Sequence, residues 1–270
     1  MTKTIGFIGS GKMAQAIIGG LLKSKLYQPD QIVASARTEK TVEQVTEKFN
    51  IKAGFHNGEV AKQADILILA VKPDLHGPVI EEIKGYVKEN TVIITIAAGI
   101  SLNFLESAFK KRIKAVRVMP NTPSLVGEGM SAICANDLVE SDELQEVIRL
   151  FESFGQAEVL TEQLMDAVPA VSGSSPAYVY MFIEALADGA VQQGIPRDQA
   201  YKLAAQAVLG AAKMVLETGK HPGELKDNVC TPGGATIEAV TTLEKQGFRA
   251  AIVSAMDACT KKSKLLAGDK

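Results

Sequence analysis

The residues best suited to chemistry gather in two glycine-rich stretches, one near each end of the chain. The first is Gly9-Ser10-Gly11-Lys12-Met13-Ala14. Glycine at the first position permits a tight turn, and glycine at the third removes the side chain where a pyrophosphate must approach the backbone. Ala14 lets a helix lie close to a strand. Free N–H groups at the helix start then receive the phosphate oxygens. The string therefore predicts a dinucleotide site, provided a strand precedes it and a helix follows. Cofactor choice falls to Ser35-Ala36-Arg37-Thr38. No acid stands there to hold a ribose 2'-hydroxyl, whereas Arg37 can clamp a 2'-phosphate with paired hydrogen bonds. NADPH is expected, with NADH serving more weakly. Ala70-Val71-Lys72-Pro73 and Ala97-Ala98-Gly99 follow two further apolar runs. Their small residues let nicotinamide and ribose lie against backbone, and Lys72 is placed to touch the cofactor. Ile8 and Asn57 complete the expected cofactor set.

The second stretch is Asn228-Val229-Cys230-Thr231-Pro232-Gly233-Gly234-Ala235-Thr236. Thr231 reads as an N-cap and Pro232 as a first helical residue. Gly233 and Gly234 leave backbone N–H groups unobstructed, which suits one carboxylate at a helix start. The same features also describe an ordinary well-capped helix, and local chemistry leaves both readings open. His56, His76 and His221 are dispersed, with no nucleophile pairing and no metal-ligand spacing. They read as structural or solvent-facing. Cys134, Cys230 and Cys259 form no CxxC pair, so neither a disulfide framework nor a metal site is expected.

Strands and helices must carry these residues to one place. Thr4–Gly9 reads as a buried strand and Gly11–Ser24 as a helix, with Met13, Ile17, Ile18, Leu21 and Leu22 near helical spacing. Gln31–Ala36 is a second strand, followed by a helix from Glu39 to Lys48. Asp65–Val71, Thr91–Ile96 and Lys114–Met119 are continuous apolar runs, as expected of strands covered on both faces. Their alternation with helices predicts a parallel, doubly wound sheet. After about Leu160 strand signals stop. Helical stretches follow, punctuated by Gly194-Ile-Pro196, His221-Pro222-Gly223 and Gly247. Ala177–Val191 is the most apolar of them, and Glu184 and Asp188 within it make it a buried helix rather than a membrane span. So much apolar helix surface needs cover from a second subunit. The expected class is α/β, with a Rossmann-type domain over 1–160 and an all-α dimerisation domain over 161–270.

The bulk properties agree. At 46% hydrophobic and 22% charged, the 270 residues make an ordinary globular mixture rather than a disordered one. A net charge of -2 gives no footprint for nucleic acid or an anionic membrane. The one basic cluster, Lys110, Lys111, Arg112 and Lys114, reads as a solvated edge. The first apolar run is too short for a signal-peptide core, so a cytoplasmic protein is expected.

Four strings together resemble pyrroline-5-carboxylate reductases: Asp227-Asn-Val-Cys-Thr-Pro-Gly-Gly-Ala-Thr-Ile237, Val71-Lys72-Pro73, Arg117-Val-Met-Pro-Asn-Thr-Pro123 and Val171-Ser-Gly-Ser-Ser-Pro-Ala-Tyr178. The likeness runs from the glycine loop to about Arg249. One departure is Ser175, where the family usually has glycine. The resemblance implies a Rossmann domain and a helical domain that interlocks with its mate in a homodimer, with dimers assembling further. It implies reduction of 1-pyrroline-5-carboxylate to L-proline, the last step of proline biosynthesis. It places the substrate carboxylate on the Asn228–Thr236 backbone and the Thr236 hydroxyl, as the catalytic group, opposite the ring nitrogen. Two rivals are a β-hydroxyacid dehydrogenase and a non-catalytic NADP sensor. The first needs a lysine on the long helix, and Pro176–Gln193 has none. The second has no use for the Thr-Pro-Gly-Gly-Ala-Thr anion site.

Overall fold

The structure, a computed structural model, describes residues 3–268. In chain order, β1 (Ile5–Ile8) leads to α1 (Lys12–Lys23), β2 (Ile32–Ser35) to α2 (Glu39–Phe49), and β3 (Lys52–Gly54) to α3 (Asn57–Gln63). Then come β4 (Ile66–Leu69), α4 (His76–Ile83), β5 (Val92–Thr95), α5 (Leu102–Phe109), β6 (Lys114–Met119), β7 (Gly129–Ala135), α6 (Ser141–Glu152) and β8 (Gly155–Val159). The eight strands form one sheet in the order β3-β2-β1-β4-β5-β6-β7-β8.

Register decides where the site can be. β1 pairs in parallel with β2 and β4, and β4 with β5, so that Ser35, Ile8, Leu69 and Thr95 stand in one row across the sheet. The next residue of each strand begins a loop, and all four loops leave from the same edge. Ligands of doubly wound sheets bind at this edge. The apolar runs follow from burial on both faces. Ile66 and Ile68 join one core cluster, with Phe7, Ile17 and Leu21. Leu67 and Leu69 join the other, with Ile80, Ile83 and Ile93.

The sheet departs from all-parallel pairing at one place. β7 runs antiparallel to β6, and β8 runs parallel to β7. A short 3-10 turn, Thr122–Val126, connects β6 to β7. A parallel crossover needs a dozen or more residues, whereas an antiparallel return does not. β3, β7 and β8 lie outside the continuous apolar runs of the sequence, and β3 and β8 are sheet edges with half-exposed residues.

The chain divides into two compact units, each described on its own. One extends to Ser174 and takes in the chain from Cys259 onward; the other is Ser175–Ala258. In the first, Met165 and Val168 pack into the sheet's core, which carries that unit beyond the last strand. The second holds α7 (Ser175–Gln192), α8 (Arg197–Thr218), α9 (Pro222–Val229), α10 (Ala235–Lys245) and the first part of α11 (Phe248–Gly268). α7 packs along α8, with Ala187, Ala200 and Ala204 buried. Small side chains allow that approach. The expected burial of Ala177–Val191 does not occur within one chain: Tyr180 and Met181 are 58% and 69% exposed, and on α8 Leu216 is 77% exposed. These apolar side chains are left uncovered within the unit.

At the opposite end of the strands, Asp65 ties the starts of β1 and β4. Its carboxylate accepts from the Thr4 N–H at 2.8 Å and from Lys88 Nζ at 2.9 Å. Burial opposes the charge, but the hydrogen bonds from Lys88 and Thr4 outweigh it and hold the carboxyl below its usual range. A carboxyl lowered in the folded state stabilises above its unfolded value of about 3.9, and that stability is lost as pH falls through the folded value. We expect Asp65→Asn to cost no more than about 1 kcal/mol near neutral pH, because both partners stay screened by solvent. Urea unfolding of wild type and variant should show a gap that narrows on acidification to about pH 3; a constant gap would contradict this account.

Candidate functional site

The loop between β1 and α1 is built on a close approach. Gly9 has φ +91°, and its N–H donates to the Ser35 carbonyl at 3.1 Å. A Cβ there would stand 2.9 Å from the Ala70 carbonyl oxygen. Both conformation and space therefore demand glycine. Ser10 is buried, and its hydroxyl donates to the same Ser35 carbonyl at 2.9 Å. Gly11 differs. Its backbone is extended, with φ -71° and ψ -175°, and a Cβ there would meet nothing within 4 Å. The chain itself leaves space at Gly11, as a bound pyrophosphate requires. Lys12 and Met13 open α1, where first-turn N–H groups lack intrahelical acceptors. Ala14 is buried against the sheet, and Ile8, fully buried, acts through its backbone by accepting from the Ala70 N–H at 2.8 Å.

The second strand end divides its duties. Ser35 is fully buried, and its hydroxyl bonds Asn57 Oδ1 at 2.7 Å. Asn57 in turn donates to Glu82 at 2.9 Å. Ser35 thus turns its hydroxyl inward, and its carbonyl holds the glycine loop. Arg37 is exposed and pairs with no acid among the described residues. Thr38 caps α2, accepting from the Thr41 N–H at 3.4 Å. One exposed cation beside a capped helix start is a suitable clamp for a phosphate ester.

The loops after β4 and β5 complete the edge. Ala70 and Val71 lie beside Gly9, Lys72 is exposed, and Pro73 starts a 3-10 turn into α4. Ala97 is buried, Ala98 exposed, and Gly99 takes φ +77°. All the cofactor-set residues of the first unit are therefore brought to one edge. Sequence reasoning missed what surrounds it. A cleft of about 530 Å³ is lined by Gly99, Ser101, Phe104, Arg117, Glu162 and Asp166. Arg117, only 7% exposed, donates to Asp166 Oδ1 at 2.9 Å and lies 3.9 Å from Glu162. Glu162 also accepts the Leu102 N–H at 2.7 Å, at the start of α5. An arginine inside an apolar strand was the one available signal, since a buried cation requires acids around it.

The expected substrate stretch lies in the second unit. Asn228 and Val229 end α9, Cys230 caps it, and Thr231–Gly234 form a tight turn closed by the Gly234 N–H to the Thr231 carbonyl at 3.0 Å. Pro232 and Gly233 are its central residues, with Gly233 at φ +68°. This corrects the expected cap. Thr231 is not the N-cap and Pro232 is not helical, because a left-handed residue at 233 cannot continue a helix; proline then left-handed glycine is the signature of a type II turn. Gly234 is the N-cap of α10, so Ala235 and Thr236 are its first two residues. Their amides, with that of Ile237, make the anion-ready first turn. Thr241 and Thr242 return their hydroxyls to carbonyls one turn back, at 2.8 and 2.9 Å. Thr236, in the first turn, has no helical carbonyl behind it, and its half-buried hydroxyl remains available. No three His, Cys, Asp or Glu side chains gather as metal ligands among the described residues.

Comparison with known proteins adds to this geometry. The family model described as pyrroline-5-carboxylate reductase dimerisation matches residues 162–266, and one described as NADP oxidoreductase coenzyme F420-dependent matches residues 4–99. The pyrroline-5-carboxylate reductase of Escherichia coli (strain K12) is 50% identical over 266 residues, covering 98% of this chain and 99% of its own. The solved structure of a pyrroline-5-carboxylate reductase from Coxiella burnetii superposes with a TM-score of 0.93 at 34% identity, over 99% of each chain. That of Plasmodium falciparum pyrroline carboxylate reductase, with NADP bound, gives 0.88 at 34% identity over 98% of each. On this likeness along almost its whole length, the chain belongs to the pyrroline-5-carboxylate reductase family.

Proposed function

We propose that the chain reduces 1-pyrroline-5-carboxylate to L-proline with NADPH. The observation that carries this reading is the α10 start: a glycine turn that leaves three amides and the Thr236 hydroxyl together. Gly233 holds φ +68°, which favours glycine, and a Cβ at Gly234 would lie 2.3 Å from Thr231 Oγ1, so a larger residue there would turn the Thr231 side chain aside. Those amides suit a carboxylate. The hydroxyl suits the nitrogen of a ring that carries the carboxylate next to it. When bound, the nicotinamide would supply hydride to the imine carbon, and the proton on nitrogen would come from water or arrive with an already protonated imine. Thr236 is far too weak an acid to part with its own proton. It holds and polarises the nitrogen, and most of the acceleration comes from holding two bound reactants in line.

The Gly9–Met13 loop, Asn57, Lys72 and the two small-residue loops are the proposed cofactor contacts, with Arg37 on the 2'-phosphate. Ser35 serves through the loop it holds. The proposed domain division is 1–160 and 161–270, supported by the last strand ending at Val159 and the dimerisation match beginning at residue 162. The exposed apolar faces of α7 and α8 support a homodimer, and dimers that assemble further. The three cysteines are free thiols, which fits the cytoplasm; no helix is long and apolar enough to cross a membrane among the described residues.

Three outcomes test this. Thr236→Ala should lower turnover with pyrroline carboxylate roughly ten- to a hundredfold, as loss of a hydrogen bond to a charged group does, while NADPH binding holds. Thr236→Ser should recover much of it; an active Thr236→Val would remove the hydroxyl from the mechanism. Arg37→Ala should reduce kcat/KM for NADPH about tenfold or more while sparing NADH, and an equal loss for both cofactors would show that Arg37 does not read the phosphate. Light scattering at low micromolar concentration should find no stable monomer.

A further inference from the structure

We propose that His76 is a positioning residue for the cofactor, because its imidazole sets the gap between the loops that leave β4 and β5. The inference rests on the reading that those loops face NADPH. His76 and Thr95 are both fully buried. His76 Nδ1 lies 3.1 Å from the Lys72 carbonyl oxygen, and Nε2 lies 2.9 Å from Thr95 Oγ1. A carbonyl only accepts, so Nδ1 carries the proton donated to Lys72. In the neutral ring Nε2 then accepts from the Thr95 hydroxyl, and the Thr95 oxygen accepts from the Ala97 N–H at 3.3 Å. One continuous chain of bonds thus runs from Ala97, in one loop, to Lys72, in the other.

The place of this chain gives it a purpose. β4 and β5 are held in register as far as Leu69 and Thr95, and the Ile96 N–H reaches the Leu69 carbonyl only at 3.4 Å. The next residue of the β4 side, Ala70, donates instead to Ile8 on β1. Beyond that point no main-chain hydrogen bond joins the Ala70–Pro73 loop to the Ala97–Gly99 loop among the described residues. His76 restores the tie. The 3-10 turn Pro73–Leu75 brings the chain back so that the first residue of α4 sits beneath its own loop. Two small-residue loops separated by a fixed distance make a slot of fixed width, which is what a flat ring requires.

The test uses the full-length protein, with NADPH binding followed by fluorescence alongside steady-state kinetics and melting temperature. Thr95→Val and His76→Leu each cut the tie while keeping the volume. Each should raise the NADPH dissociation constant about three- to tenfold, the effect of one net hydrogen bond. The KM for pyrroline carboxylate should stay within about twofold, since ground-state binding of the other reactant is untouched. The double variant should bind no worse than the weaker single, because both substitutions cut the same chain. His76→Asn, whose amide nitrogen can reach Lys72 but not Thr95, should fall between wild type and His76→Leu. Variants that bind NADPH like wild type and only melt earlier would overturn the proposal and leave His76 as core. Wild-type protein that fails to bind NADPH would instead overturn the cofactor reading beneath it.

Discussion

The approach of Gly9 to the end of β4 is the constraint on which the proposed cofactor edge depends. At this point the Gly9 N–H goes to Ser35 on β2, the Ala70 N–H goes to Ile8 on β1, and no room is left for a Cβ. Three strand ends are thereby locked at one level. Ser10, buried, takes up the Ser35 carbonyl a second time. What remains facing outward is the backbone of Gly11 and the first turn of α1. The site is therefore not assembled from flexible loops. It is what a tightly bonded sheet leaves uncovered at its edge, and the energy that orders it is the burial of Phe7, Ile17, Leu21 and their neighbours beneath.

The second unit uses the opposite strategy. The residues its helices bury fully are small, and many of its larger apolar side chains stay exposed. Its proposed substrate element is a short backbone device, the turn that ends at Gly234 and aims a helix start. Two glycines with different reasons stand side by side there. Gly233 supplies a left-handed φ, and Gly234 avoids the Thr231 side chain. Order in this turn comes from the left-handed backbone at Gly233 and the Gly234 N–H to Thr231 carbonyl bond rather than from depth of burial.

Legibility in the sequence follows the same physics. Ile66–Leu69 and Val92–Thr95 were readable as strands because burial on both faces makes every residue apolar. Lys52–Gly54 and Gly155–Val159 were not, because an edge strand can carry lysine, glutamine and glutamate. The turn at Thr231–Gly234 was misplaced because proline suits both a first helical position and the second position of a turn. Only the sign of φ at Gly233 separates the two. Ser35 was read as facing the cofactor from its place at a strand end; which way its hydroxyl turns depends on Asn57, distant in sequence. The link from His76 to Thr95 was invisible for the same reason, and so were the acids that surround Arg117.

Gly9 and Gly11 look alike in the sequence but answer to different masters. Alanine at Gly9 would collide with the Ala70 carbonyl, so the fold itself rejects it. Alanine at Gly11 would collide with nothing in the chain and would adopt the same extended backbone. By restricting the unfolded chain it would even favour the folded state, by about 0.4–1 kcal/mol. A lineage selected only for endurance to heat would therefore discard the second glycine and keep the first. Glycine at position 11 answers to no demand of the empty chain, and the open space beside it suits the proposed tenant rather than the building.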